Sequence, residues 1–87
     1  MEYTVYHATW CPFCRAFMRY YKEMLPDGMD RIIDDEMDPA WGEKGIDYVP
    51  TVIASKDGVE VTRLSAQPGV GITKDMLNDF ISSTATP

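Results

Sequence analysis

Long apolar runs, histidine clusters, cysteine frameworks and basic patches are all missing from this chain, and each absence removes a class of function. No apolar run approaches the roughly 20 residues that cross a bilayer, and Met1-Glu2-Tyr3-Thr4-Val5 lacks the basic, then apolar, then small-residue order of a signal peptide. No membrane contact and a cytoplasmic location are therefore expected. Eight Lys and Arg against fourteen Asp and Glu leave a net charge of −6, the reverse of a nucleic-acid footprint. Partners with basic docking surfaces are easier to accommodate. One histidine and two cysteines are too few soft ligands for zinc: Cys11, Cys14 and His7 lack a fourth. A protease-like pair of Cys11 and His7 lacks an orienting third group. No repeat and no low-complexity segment is visible. What remains is one domain over residues 1–87, 45% hydrophobic and 11% aromatic, which buries somewhat over ~60% of its unfolded surface, enough for one modest core.

Both cysteines fall in one segment, Trp10-Cys11-Pro12-Phe13-Cys14. A disulfide across so short a loop stabilises little through chain entropy, and two cysteines in a single C-x-x-C suit a reducing compartment better than a secreted scaffold. The pair reads as a redox dithiol. The residues that follow support this. Phe13, Phe17, Tyr20, Tyr21 and Met24, with Cys14 and Met18 beside them, supply an apolar face at helical spacing, while Arg15, Arg19 and Lys22 fall on another. The pattern predicts one helix from about Pro12 to about Leu25, ended by Pro26-Asp27-Gly28. Proline at the first helical position needs no amide donor. Cys11 is then the N-cap, and unpaired N–H groups at the helix start favour its thiolate and make it the nucleophile. Cys14, one turn in, is shielded and becomes the resolving thiol. The Arg15, Arg19 and Lys22 stripe is a solvated face or a steering surface for an acidic partner or for glutathione carboxylates.

Along the chain, Tyr3-Thr4-Val5-Tyr6-His7 predicts a buried first strand ending at Ala8-Thr9. His7 then lies at the strand tip, either packed and hydrogen-bonded there or placed to assist proton transfer from Cys14. Arg31-Ile32-Ile33-Asp34 predicts a second strand. The acidic stretch Asp34-Asp35-Glu36 and Asp38 reads as a solvated loop, and Pro39 to Gly45 as a short helical turn at most. Thr51 to Ser55 and Val59 to Leu64, joined through Lys56-Asp57-Gly58, form the clearest hairpin signal: the first run is nearly all apolar, the second alternates like an edge strand. Thr73 caps a last helix that packs Met76, Leu77, Phe80 and Ile81 inward, with 82–87 expected to fray. Trp41, Met24, Met29, Met37 and Met76 read as core or loop anchors. The order β-α-β-(short α)-β-β-α predicts an α/β fold with a mixed four-stranded sheet and helices on its faces.

Taken together, Trp10-Cys11-Pro12-Phe13-Cys14, the segment Gly45-Ile46-Asp47-Tyr48-Val49-Pro50-Thr51-Val52, the 56–61 hairpin and Val70-Gly71 before Leu77 resemble the thioredoxin superfamily over almost the whole chain. In length the chain resembles glutaredoxins and the small glutaredoxin-like electron donors of ribonucleotide reductase; Trp10 and the Val-Pro-Thr motif are more thioredoxin-like. The resemblance implies a thiol-disulfide oxidoreductase in which Cys11 attacks a client disulfide and Cys14 resolves the mixed disulfide. It also implies a cis Pro50 packed on the dithiol, turning the Val49 backbone outward to pair with an extended client segment. Trp10, Pro12, Phe13, Val49, Pro50, Thr51, Val70 and Gly71 become the substrate-binding residues. No tightly bound cofactor is implied beyond the redox-active Cys11–Cys14 disulfide. The partners implied are disulfide-containing proteins, a class of ribonucleotide reductase among them, with thioredoxin reductase as electron source and a monomeric working state. Two departures stand out. Val5 replaces the buried aspartate found in thioredoxins, and Ala8 and the 68–73 stretch replace glutathione determinants of glutaredoxins. Glutathione-dependent reduction is the alternative; a further one is a binding module that uses the same cleft without turnover.

Overall fold

A computed structural model of the chain describes residues 1–85. Its four strands, β1 (Glu2–His7), β2 (Met29–Ile32), β3 (Thr51–Lys56) and β4 (Val59–Ser65), form one sheet in the order β2-β1-β3-β4. β1 and β2 run parallel, whereas β3 is antiparallel to both β1 and β4. The two apolar strands take the middle of the sheet, as burial on both faces requires. In β3, Thr51, Val52, Ile53 and Ala54 are all buried. The β3–β4 connection has Asp57 at φ 53° and Gly58 at φ 79°, the doubly positive turn whose twist matches a two-residue hairpin.

Alternation along the strands divides the core in two. Val5, Val52 and Ala54 face a cluster with Phe17, Tyr21, Leu25, Leu77 and Phe80, contributed by α1 (Pro12–Met18), α2 (Tyr21–Met24) and α4 (Lys74–Ala85). Tyr6 and Ile53, one residue out of step, face the other side with Ile33, Ala40, Ile46 and Val49, beneath α3 (Pro39–Glu43). Cys11 and Cys14 belong to this second cluster although α1 runs into the first. The start of α1 therefore sits at the sheet end, where the two half-cores meet.

Several sequence expectations need correction. The helix predicted from Pro12 to Leu25 is broken: Tyr20 lies at φ −123°, ψ −16°, between α1 and α2. Adjacent residues of an unbroken helix point roughly 100° apart, which does not serve both tyrosines. The break lets the Tyr20 hydroxyl donate to the Ile72 carbonyl while its ring meets Phe17 edge-on, and lets Tyr21 stack on Phe17 at 5.7 Å. β2 starts two residues earlier than expected, because the parallel register pairs Thr4 with Met29 and ends at His7 with Ile32; Ile33 then turns into the core. Phe13 is 41% exposed rather than on the buried helix face, and Met29 and Met37 are exposed and anchor nothing in the core. Residues 82–85, expected to fray, continue α4, since the Thr84 hydroxyl bonds the Phe80 carbonyl at 3.0 Å and the Tyr3 hydroxyl. Thr86 and Pro87 of that expected tail lie outside the described residues.

Phe17 joins the sheet face to both aromatic neighbours and is fully buried. Phe17→Ala is expected to cost about 3–5 kcal/mol, a large share of the ~5–15 kcal/mol that holds a small domain folded. A urea midpoint shift equivalent to less than about 1 kcal/mol would show that the aromatic stack is not the centre of this half-core.

Candidate active site

The site begins at the loop that leaves β1. Asp34, just beyond β2, accepts hydrogen bonds from the Thr9 backbone N–H at 2.6 Å and the Thr9 hydroxyl at 2.7 Å, and its carbonyl accepts from Trp10 Nε1 at 3.1 Å. These bonds to Thr9 hold the Asp34 carboxyl below the usual carboxylate range. Cys11 follows in extended geometry (φ −92°, ψ 115°) as the N-cap of α1, with Pro12 at the first helical position. The Cys14 N–H, one of the donors a helix start leaves unpaired, points at Cys11 Sγ at 3.2 Å. On its other side Cys11 Sγ lies 3.5 Å from the Val49 carbonyl, to which it donates. Both cysteines are free thiols, 4% and 1% exposed for Cys11 and Cys14.

The two sulfurs occupy different surroundings. Burial pushes the Cys14 thiol up to about 12, and its hydrogen bond with Cys11 adds to that, while a bond to the Ala8 backbone pulls the other way. Cys14 is thus held as a thiol across the neutral range. His7 turns from the strand end to Asp30, with Nε2 2.9 Å from Oδ2. Among the described residues no group of three or more His, Cys, Asp or Glu is arranged to hold a metal ion.

Around Cys11 lies a groove of about 320 Å³, lined by Trp10, Pro12 and Phe13 on one side and Trp41, Tyr48 and Val49 on the other. The Val49–Pro50 peptide bond is cis. Pro50 and Thr51 are fully buried, the Pro50 carbonyl accepting from the Ala66 N–H and the Thr51 hydroxyl donating to the Tyr48 carbonyl. These two residues hold the 48–50 loop from below. Trp10, Phe13, Tyr48 and Val70 form the exposed apolar rim. Gly71, at φ 79°, lies so close to Phe13 that a Cβ there would stand 2.9 Å from the Phe13 Cβ; only glycine lets the 70–71 corner seat against the dithiol loop.

Sequence reasoning passed over part of this. The acidic stretch read as a solvated loop instead fastens the site: Asp34 binds Thr9, Asp35 caps Met37 N–H, and Asp38 caps α3 and pairs with Arg31 at 3.0 Å. Trp41, read as an anchor, donates to the Asp35 carbonyl and also lines the groove. The signal available was Asp38-Pro39, a cap followed by proline at a helix start.

A close Cys-x-x-Cys pair at the first helix of a four-stranded mixed sheet defines a fold of the thiol-disulfide oxidoreductase type. No protein-family model matches the sequence, and no curated protein matches it; solved structures do. A wild-type thioredoxin h of poplar is 26% identical with a TM-score of 0.77, over 99% of this chain and 77% of that one. The oxidised thioredoxin of Plasmodium falciparum is 21% identical with a TM-score of 0.76, over 98% and 81%. A chain of the complex between ferredoxin:thioredoxin reductase and thioredoxin f2 is 21% identical with a TM-score of 0.76, over 98% and 79%. The fold is that of the thioredoxin superfamily.

The Cys14 environment predicts an alkaline loss of stability. The native state keeps the Cys14 proton up to about 12, whereas an unfolded cysteine releases it near 9. In that window the unfolded chain binds fewer protons, so stability falls as pH rises. Tyr21, also pushed up to about 12 by burial and by Asp30, acts in the same direction. Cys14→Ala should therefore flatten, without abolishing, the decline of the urea midpoint between pH ~9 and ~11. Identical slopes in both proteins would refute the protonated, buried Cys14.

Proposed function

We propose that this chain reduces protein disulfides through Cys11 and Cys14 and is recharged by a thioredoxin reductase. The observation that carries this reading is the Cys14 N–H directed at Cys11 Sγ, with the Cys14 thiol buried one turn behind it. A helix-start donor stabilises negative charge on the Cys11 sulfur. Cys11 thiolate attacks one sulfur of the client disulfide and expels the other as thiolate, leaving the client joined to Cys11. Cys14, as thiolate, then attacks Cys11 Sγ, closes the intramolecular disulfide and releases the second client thiolate. Two electrons pass from the dithiol to the client, and a reductase returns them.

The surroundings favour a protein partner. Trp10, Phe13, Tyr48 and Val70 present exposed apolar surface around the buried sulfur, and the Val49 backbone beside Cys11 offers the polar edge that an extended client segment pairs with. Glutathione, small and anionic, needs a cation at the dithiol loop, where this chain has Ala8. The structural neighbour found together with a ferredoxin:thioredoxin reductase supports a protein electron source. A class of ribonucleotide reductase is the proposed client on the strength of length and motif, and the cytoplasm is the proposed location.

Cys14→Ser is expected to trap clients on Cys11 as mixed disulfides that dithiothreitol reverses, while Cys11→Ser traps none. Wild type is expected to accelerate insulin reduction by dithiothreitol, which a pure binding module does not. With a disulfide substrate, NADPH should be consumed in the presence of thioredoxin reductase; efficient turnover with glutathione and glutathione reductase alone would overturn the choice of reductant.

A further inference from the structure

Resolution of the mixed disulfide requires Cys14 to surrender a proton, and the carboxylate whose charge acts on Cys14, Asp34, is a poor acceptor, with both oxygens taken by Thr9 and its carboxyl held below the usual range. Val5, on the neighbouring strand, has nothing to titrate. Behind Cys14, however, lies a second groove of about 410 Å³, lined by His7, Ala8 and Thr9 from the end of β1 and by Cys14, Arg15, Met18 and Arg19 of α1. Of the side chains in this lining only the His7 imidazole can accept a proton from the Cys14 thiol; guanidinium groups accept nothing.

The geometry around His7 is that of an oriented imidazole. His7 is 7% exposed, and alternation puts it on the same sheet face as Val5, the face covered by α1. Asp30 stands opposite Val5 in the parallel register. Its Oδ2 is 2.9 Å from His7 Nε2, and its Oδ1 accepts the Tyr21 hydroxyl at 3.0 Å. These bonds, His7 first, hold the Asp30 carboxyl below its ordinary range despite partial burial. An ionised carboxylate only accepts, so Nε2 carries the proton of that bond, and an imidazole with that single proton has its acceptor lone pair on Nδ1. The titratable and charged groups that face His7 are Asp30 from β2, Asp34 from the following loop, Cys14, Arg15 and Arg19 from α1, and, through Asp30, Tyr21 and Lys22 from α2. The two carboxylates compensate the imidazolium that forms when Nδ1 takes a proton.

We infer that His7, oriented by Asp30, is the general base for Cys14, receiving its thiol proton through water in the groove they share. The inference rests on the dithiol reading given above. As Cys14 S–H gives its proton to Nδ1, the Cys14 sulfur attacks Cys11 Sγ; the Cys11–client S–S bond breaks, the Cys11–Cys14 bond forms, and the client leaves as thiolate. His7 then returns its proton to solvent, and no outside oxidant or reductant takes part.

Reaction with Ellman's reagent separates the steps: a concentration-dependent phase as Cys11 attacks, then a unimolecular phase as Cys14 expels the second thionitrobenzoate. His7→Gln is expected to slow the second phase by about tenfold to a hundredfold near pH 7, to leave the first unchanged, and to make the second rise in proportion to hydroxide. Free imidazole should accelerate the second phase of His7→Ala and not that of wild type. A second phase in folded His7→Gln that matches wild type in rate and pH profile overturns the inference. If the His7 variants do not fold, Asp30→Asn decides, since Asp30 is the more exposed partner: a slowed second phase supports the base assignment, and an unchanged one overturns it. The dithiol reading fails separately, if Cys14→Ser still shows the unimolecular phase.

Discussion

The hydrogen bond from the Cys14 N–H to the Cys11 sulfur is the contact on which the site depends. It exists because Cys11 is the N-cap of α1 and Pro12 starts the helix without needing a donor of its own. The same bond fixes the order of the two thiols. Cys11 meets the groove and the Val49 carbonyl, while Cys14 is carried one turn inward, to the junction of the two half-cores. A cap made of serine in the same place would close the helix equally well; cysteine places a thiol at the cap.

Around that bond, restraint comes from residues far apart in sequence. Asp34 grips Thr9, and successive carbonyls of Asp34 and Asp35 take the indole N–H groups of Trp10 and Trp41. Both tryptophans thereby line the groove in front of Cys11 with their polar ends already satisfied. Below, Thr51 and Ala66 fasten the 48–50 loop to β3 and to the residue after β4. The apolar rim that results stands on a chain with a net charge of −6.

Cys14 and His7 show how one buried end of a sheet serves two purposes. Burial keeps Cys14 protonated across the neutral range. His7 opens on the same groove as Cys14. The pairing of His7 with Asp30 joins that groove to Tyr21 and so to the aromatic stack on Phe17. If the proposed base acts there, chemistry and packing share residues, and stability and resolution rate are not independent properties of α1 and β1.

The local patterns in the sequence carried the element order, the Asp57-Gly58 turn, the buried character of β3, the N-cap position of Cys11 and the capping of α4 by Thr73, because each depends on neighbours within about one turn or one strand pair. Other features were out of reach of such patterns. The break at Tyr20 arises from an acceptor 52 residues away on Ile72. The start of β2 follows from its parallel register with β1, and the fastening role of the acidic stretch from Thr9 on the other side of α1. The dithiol was legible because both sulfurs lie in one five-residue segment; the groove before it was reached only through the family resemblance, which named Trp10, Pro12, Phe13 and Val49 but not Trp41, because its walls come from residues 10–13 and 41–49, which only the sheet brings together. His7 was visible as a residue near Cys11. That it holds Asp30 and opens on the groove behind Cys14 was decided by the tertiary structure, since strand alternation and the β1–β2 register choose which side of the sheet it faces.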